Sequence, residues 1–364
     1  MENRTIRQSR APQGDPETRA VSLPGLSLMF FSADEREASS FDFVLRAVQF
    51  ADRANFEAVW FPERHFDRFG GLFPNPALFC AAAATMTKRV RLRAGSVVLP
   101  LHDVLRVRED WAVVDNLSGG RIDIAFATGW DANSFCLIPE NYPNRTALTL
   151  DGIGEFRRLW GGDAVSRVNG SGKAISVSPF PRPLQRDPQI WLTIAKQSFL
   201  FEEAGRRGLN VLTALLMQPL ERLSENIKLY REARAASGYD PDDGRVTLML
   251  HTYVGTTDLV ASAAVAAPLR KYLSASIDLW RTESSALREL TERERADTVE
   301  FALRRYIQTS SLIGRPDTVA KTMLKMAALG VNEIACLIDF GVGPEAVMSS
   351  LQLLAEVWRT AGNR

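Results

Sequence analysis

Glu63, Arg64 and His65 stand side by side at the exit of the apolar run "AVWF". A carboxylate, a guanidinium and an imidazole in one short stretch can hold an anion, orient one another and move a proton. His65 is one of three histidines in 364 residues. His102 follows "VVLP", and His251 lies inside "LMLHTYV". His65 also fits a satisfied structural histidine, since imidazole serves either purpose. His251 fits a core or a lumen position. Three histidines so far apart in sequence do not have the spacing of a zinc site. A second candidate is Lys196-Gln197-Ser198, where an apolar run meets a helical segment. N–H groups at a helix start, with a hydroxyl and an ammonium beside them, suit a phosphate. Ordinary helix capping is the competing reading.

These residues need a scaffold that brings them together. Apolar runs and amphipathic segments alternate along the chain. "LSLMFF", "AVWF", "VRLRAGSVVLP", "IDIAFATG", "QIWLTIA", "NVLTALL", "RVTLMLHTYVG" and "EIACLID" read as eight strands, each followed by a helical segment. That order predicts parallel strands joined by crossovers, in the α/β class. Eight units predict a closed (β/α)8 TIM barrel. An open doubly wound sheet is the runner-up, and it would normally carry a G-x-G-x-x-G loop that this sequence lacks.

In a barrel the chemistry sits at the carboxyl ends of the strands. This places Gly95 and Ser96 of the third strand among the candidates, since glycine inside a strand signals a bulge. Ala127, Thr128 and Gly129 end the fourth strand, and Thr213 lies in the sixth. Insertions follow strand four (129–149) and strand seven (259–311). Long loops on that face usually bind or cover something. A third insertion reads as a structural hairpin turning at 169–172. Trp111, Trp160, Trp191 and Trp358 read as packing residues.

Composition narrows the function classes. Apolar residues make up 46% and charged residues 24%, a globular balance. The net charge of +1 carries no basic block, so neither nucleic acid nor a membrane is an expected partner. Cys80, Cys136 and Cys336 form neither a disulfide framework nor a metal motif, which suits a cytoplasmic location. Residues 1–24 are polar and read as a disordered tail, and 25–364 as one barrel domain.

"FEAVWFPERHF", "FGGLFPNPALF", "RAGSVVLPLHDVLRVREDWAVVDNLSGGRIDIAFATGW", "LMLHTYVG", "RYIQTSSLIGRPDTV" and "GVNEIACLIDFGV" together resemble the bacterial luciferase-like, flavin-dependent monooxygenases. The nearest subgroup is the one found in polyketide and nonribosomal peptide biosynthesis. The resemblance spans roughly residues 25 to 358 and implies the barrel fold independently. It also implies reduced FMN (FMNH2) at the barrel mouth, O2 as co-substrate, a peroxyflavin, and a separate flavin reductase as partner. The expected substrate is small or carrier-bound, and the expected assembly is a homodimer through helices near strands two and three.

By the same resemblance, Lys196, Gln197 and Ser198 match the phosphate site. Gly95 and Ser96 match a non-proline cis peptide against the flavin ring, and Ala127 and Thr128 flank that ring. Thr213 joins the cofactor set. Glu63, Arg64 and His65 match the catalytic cluster after strand two, with Glu63 expected to fix Arg64. Asp131 and Arg145 are expected to reach substrate from the strand-four insertion, and 259–311 to form a lid. Three departures stand out. Arg64 replaces the histidine of luciferases, so luminescence is not implied. Gly129-Trp130-Asp131-Ala132 replaces Gly-Trp-His-Pro, and Lys196-Gln197 replaces a small turn. Two other functions fit the scaffold: hydride transfer with the deazaflavin F420, and a non-catalytic flavin-binding subunit.

Overall fold

The computed structural model describes residues 22–31, 39–216, 218–281 and 291–361. The expected tail, apart from 22–24, lies outside these residues. In chain order the elements are β1 (Gly25–Met29), α1 (Ser39–Arg53), β2 (Ala58–Phe61), α2 (Pro76–Met86), β3 (Arg91–Val98), α3 (Val104–Ser118) and β4 (Ile122–Ala127). Then come α4 (Arg145–Gly161), β5 (Val165–Val168), β6 (Ala174–Val177), β7 (Ile190–Ile194), α5 (Ser198–Arg206), β8 (Asn210–Ala214), α6 (Leu220–Ala236) and β9 (Val246–Val254). The chain ends with α7 (Asp258–Arg281), α8 (Glu292–Thr309), β10 (Leu312–Gly314), α9 (Pro316–Ala328), β11 (Glu333–Leu337) and α10 (Pro344–Ala361).

Eight strands close into a parallel barrel in the order β9-β11-β1-β2-β3-β4-β7-β8, and β8 pairs back to β9. These are the eight runs read from the sequence. Each is covered on both faces, which is why their apolar runs are nearly continuous. β2 and β11 are buried at every position. The crossover helices start where local chemistry dictates. Asn75 Oδ1 accepts the Ala77 N–H at 2.8 Å, with Pro76 in the first turn of α2. Asp103 caps α3 in the same way, through Leu105 N at 2.7 Å.

One feature goes beyond the sequence pattern: β10 is a short extra strand that pairs with the upper half of β9, Thr252–Val254. β5 and β6 form the expected hairpin, a small antiparallel sheet separate from the barrel.

The barrel floor is sealed. Arg93 is fully buried and donates to Asp123 at 2.9 Å and to Glu333 at 2.8 Å. Trp60 and Trp191 lie against its guanidinium, with ring centroids 4.8 and 4.6 Å away. Burial opposes the charge on Glu333, but Arg93, Arg245 and the Ser27 hydroxyl outweigh it and hold the carboxyl down to about 2. A filled, ion-paired floor leaves the opposite end of the lumen for ligands.

Candidate active site

β2 delivers Glu63 to the barrel mouth almost wholly buried. Its Oε2 accepts the Val98 N–H at 2.8 Å, which ties the β2 exit to the end of β3. Its Oε1 accepts from two imidazoles, His65 Nε2 at 2.7 Å and His102 Nε2 at 2.6 Å. Folding thus gathers two of the three histidines on one carboxylate. Burial would raise the Glu63 pKa, but the bonds from His102 and His65 prevail and lower it. His102 shows the mirror effect. Burial opposes its charge, and the Glu63 bond and charge raise its pKa all the same.

Glu63, His65 and His102 are the one group among the described residues whose donor atoms could together take a metal ion. The two short spacings are those of hydrogen bonds. Ligands about 2.0–2.1 Å from a tetrahedral zinc would stand farther apart than this.

Arg64 does not pair with Glu63, contrary to expectation. The Glu63 oxygens are committed to His65, His102 and Val98. The Arg64 side chain turns away and is 6% exposed. Its guanidinium lies 3.5 Å from Asp67, 3.8 Å from Asp131 and 4.7 Å from the Trp130 ring centroid. Its Nε and one terminal nitrogen have no hydrogen-bond acceptor. Asp131 also caps its own turn, accepting from Ser134 Oγ at 2.6 Å. Arg145 donates to the carbonyls of Gly129 at 3.1 Å and Tyr142 at 2.9 Å and stacks on Tyr142. Its guanidinium therefore braces the insertion from within.

The Gly95–Ser96 peptide is cis, and the β3–β4 register shifts between Gly95 and Val97. A bulge occurs where the glycine suggested one. Ser96 Oγ lies 2.5 Å from Thr193 Oγ1 on β7, so the bulge is joined across the lumen rim. Ala127 and Thr128 are half-buried at the end of β4. Lys196 is exposed just before α5, and Gln197 at the N-cap gives the helix no side-chain cap. Thr213 is buried, and its hydroxyl accepts from Gln218 Nε2 at 2.9 Å.

The strand-seven insertion packs over part of the mouth. Tyr272 of α7 touches Phe69 and His251, with ring centroids 4.9 and 4.4 Å apart. Tyr306 of α8 meets His251 Nδ1 at 3.1 Å. His251 is fully buried, its Nε2 has no partner, and burial pulls its pKa down to about 3. It is a neutral lumen residue under the insertion. Residues 282–290 of the expected lid lie outside the described residues.

Sequence reasoning does not single out Asp67, Trp130 or Thr193. Each is locally ordinary, and only its partner on another element gives it a role. Phe66 stands exposed beside His65 in the left-handed region, at φ 58°, which is uncommon for an aromatic residue.

The model of the luciferase-like monooxygenases matches residues 25–333. The chain belongs to that family. It is an oxidoreductase.

This luciferase-like protein is 27% identical over 329 residues to the oxygenase component of the flavin-dependent trigonelline monooxygenase of Acinetobacter baylyi, covering 88% of this chain and 89% of that one. It is 34% identical over 127 residues to the 4-hydroxyprotoasukamycin monooxygenase of Streptomyces nodosus subsp. asukaensis, 34% of this chain and 33% of that one. The crystal structure of monooxygenase RslO1 from Streptomyces bottropensis shares the fold with a TM-score of 0.75 and 25% identity, over 91% of this chain and 98% of that one. The oxygenating constituent of 3,6-diketocamphane monooxygenase from Pseudomonas putida, in complex with FMN, shares it with a TM-score of 0.76 at 19% identity, over 93% and 98%. No helix among the described residues is long and apolar enough to cross a membrane.

Proposed function

We propose that this protein is the oxygenase component of a two-component, FMNH2- and O2-dependent monooxygenase of secondary metabolism. It acts on a small or carrier-bound organic substrate in the cytoplasm, and a separate reductase supplies the reduced flavin. The observation that carries this reading is the meeting of three features at one barrel mouth: a histidine–carboxylate cluster, the bulged Gly95–Ser96 segment, and an uncapped helix start beside Lys196.

The residues fit FMN. The N–H groups at the start of α5, which no side chain caps, would form a donor set for a phosphate dianion together with the Ser198 hydroxyl and the Lys196 ammonium. Gly95, Ser96, Ala127 and Thr128 would border the ring, with Thr213 oriented by Gln218 behind them. When bound, the reduced flavin supplies the electrons that activate O2.

The chain's own part is positioning and proton control. Glu63 engages His65 Nε2, so Nδ1 is the nitrogen left to hold or give a proton at the mouth. Arg64, clasped to Trp130 and Asp131, closes the gap between the exits of β2 and β4 and keeps water out. The aromatic roof of Phe69, Tyr272 and Tyr306 does the same on the other side. Exposed Phe41, Leu78, Val113 and Leu117 on α1, α2 and α3 support a homodimer through that face.

The test is anaerobic titration with FMNH2, followed by rapid mixing with oxygen. Tight binding of reduced FMN, weakened about tenfold in Lys196→Gln by loss of a charge-assisted contact, and a transient absorbance change upon oxygen are expected. Binding of reduced F420 in place of FMNH2 would overturn the reading.

A further inference from the structure

Glu63 Oε1 is shared. It accepts from His65 Nε2 at 2.7 Å and from His102 Nε2 at 2.6 Å, while Oε2 is taken by the Val98 N–H. The two rings occupy different places. His65 stands at the rim of the barrel mouth beside exposed Phe66, with ring centroids 5.6 Å apart. His102 precedes α3 and lines a small cavity of about 50 Å³ with Glu63, Asn75 and Asp110.

The charged groups facing this cluster are few. Glu63 comes from the β2 exit, and Asp110 reaches His102 from α3. Arg64, the nearest guanidinium in sequence, has its own partners in Asp67 and Asp131.

A single carboxylate compensates one positive charge. The first imidazolium on either ring is paired with it. A second would be added to a unit already neutral, so it gains less. The titrations of the two rings are therefore linked through one oxygen.

We propose that Glu63 joins His65 and His102 into one proton-sharing unit, in which His102 is a positioning residue that sets when His65 carries a proton at the barrel mouth. When His65 Nδ1 takes a proton from the mouth, His102 Nδ1 releases one to the cavity beside Asp110. Both Nε2–H bonds to Glu63 persist, and the unit keeps its charge. The reverse transfer delivers a proton to the mouth. No oxidant or reductant is involved. Burial opposes the charge on His102, but the Glu63 bond and charge raise its pKa, and Asp110 beside it acts in the same direction. The use of that proton in oxygenation rests on the function proposed above. The coupling itself does not.

The sequence makes the experiment tractable, because the full chain has three histidines. One of them, His251, is buried and stays neutral at working pH. Histidine ring signals are followed by NMR across pH 5 to 9 in protein without flavin, which is roughly the range where imidazoles titrate. In the wild type, the curves of His65 and His102 should each show both transitions. In His102→Gln, which keeps an N–H donor for Glu63 but cannot carry charge, the His65 midpoint should rise by about one unit. The pH profile of flavin-dependent turnover should move with it. An unmoved His65 midpoint overturns the proposal. If His102→Gln fails to fold, the wild-type curves decide, and two independent one-site curves overturn it equally. Coupled histidines in a protein that shows no flavin turnover would count against the oxygenase reading and leave the unit standing.

Discussion

The guanidinium of Arg64 lies 3.8 Å from the carboxylate of Asp131 and rests on the neighbouring Trp130. One residue leaves β2, the other leaves β4, and β3 stands between them in the barrel. The contact bridges the mouth over β3, above the bulge. The aliphatic stem of Arg64 packs against Gly70, where an added Cβ would lie 2.9 Å from Arg64 Cγ. Arg64 is thus seated as a clasp between two loops.

Replacing Arg64 with alanine should loosen the clasp. Lost packing and the lost cation–π contact should together cost about 1–3 kcal/mol. Lysine should recover only part of this, since it has no plane to stack. Urea unfolding gives the energy, and limited proteolysis within 129–145 reports the loop. Wild-type protection of that segment in the alanine variant would show that the clasp holds nothing.

Glu63→Gln should damage both stability and turnover. Glutamine can accept on one side only. Its amide would face either the Val98 N–H or the two imidazole N–H groups. One mismatch leaves a buried donor unpaired, at about 1–3 kcal/mol. Turnover should fall by about 100-fold or more, the usual range for a disturbed acid–base group. Steady-state kinetics beside a thermal melt separate the two losses. Full activity in a folded variant would remove Glu63 from the mechanism.

Gly95→Ala should destabilise through packing. The new Cβ would stand 3.1 Å from Met29 Cε and 3.1 Å from Trp60 Cβ. Trp60 has little room to yield, because its indole N–H donates to Ser27 at 2.9 Å and to Glu333 at 3.2 Å. Overpacking of this kind costs about 1–3 kcal/mol. A midpoint of denaturation equal to the wild type's would show that the lumen is softer than it looks.

His251 should make the fold acid-sensitive. Burial holds its folded pKa at about 3, below the unfolded value. Between that value and pH of about 6.5, the unfolded chain binds a proton that the folded chain does not. Stability is therefore complete above this window and lost as pH falls through it, by up to about 1.4 kcal/mol per pH unit. The paired carboxylates Glu63 and Glu333 add their losses at lower pH. His251→Phe should flatten the slope of melting temperature against pH between 6.5 and 4.5. A slope as steep as the wild type's would place the acid sensitivity elsewhere.

Leu78 and Leu117 are 67% and 54% exposed on neighbouring helices α2 and α3. Charged residues at both positions should convert a dimer to a monomer without unfolding the barrel. Sedimentation velocity reads this directly. A wild-type monomer, or a dimer untouched by the two charges, would refute that face as the interface.

The barrel was legible because its signal is local. Eight apolar runs, each followed by an amphipathic segment, leave few ways to bury every strand, and the β3 bulge was marked by Gly95 within such a run. The glycine–serine bulge, the helix start at Ser198 and the hairpin at 169–172 are likewise properties of short windows. Partner choice is not local. Glu63 binds the distant His102, whereas adjacency in sequence favours Arg64. Adjacent side chains in an extended exit point to opposite sides, so Glu63 turns to the end of β3 and Arg64 to the loop after β4. His65 and His102 meet because parallel pairing puts the exits of β2 and β3 side by side. His251 took its meaning only when α7 and α8 folded back over β9. The sequence by itself determined which residues reach the barrel mouth. Tertiary structure decided which of them touch, because hydrogen bonds and ion pairs form between side chains that converge in space, and register across strands sets that convergence.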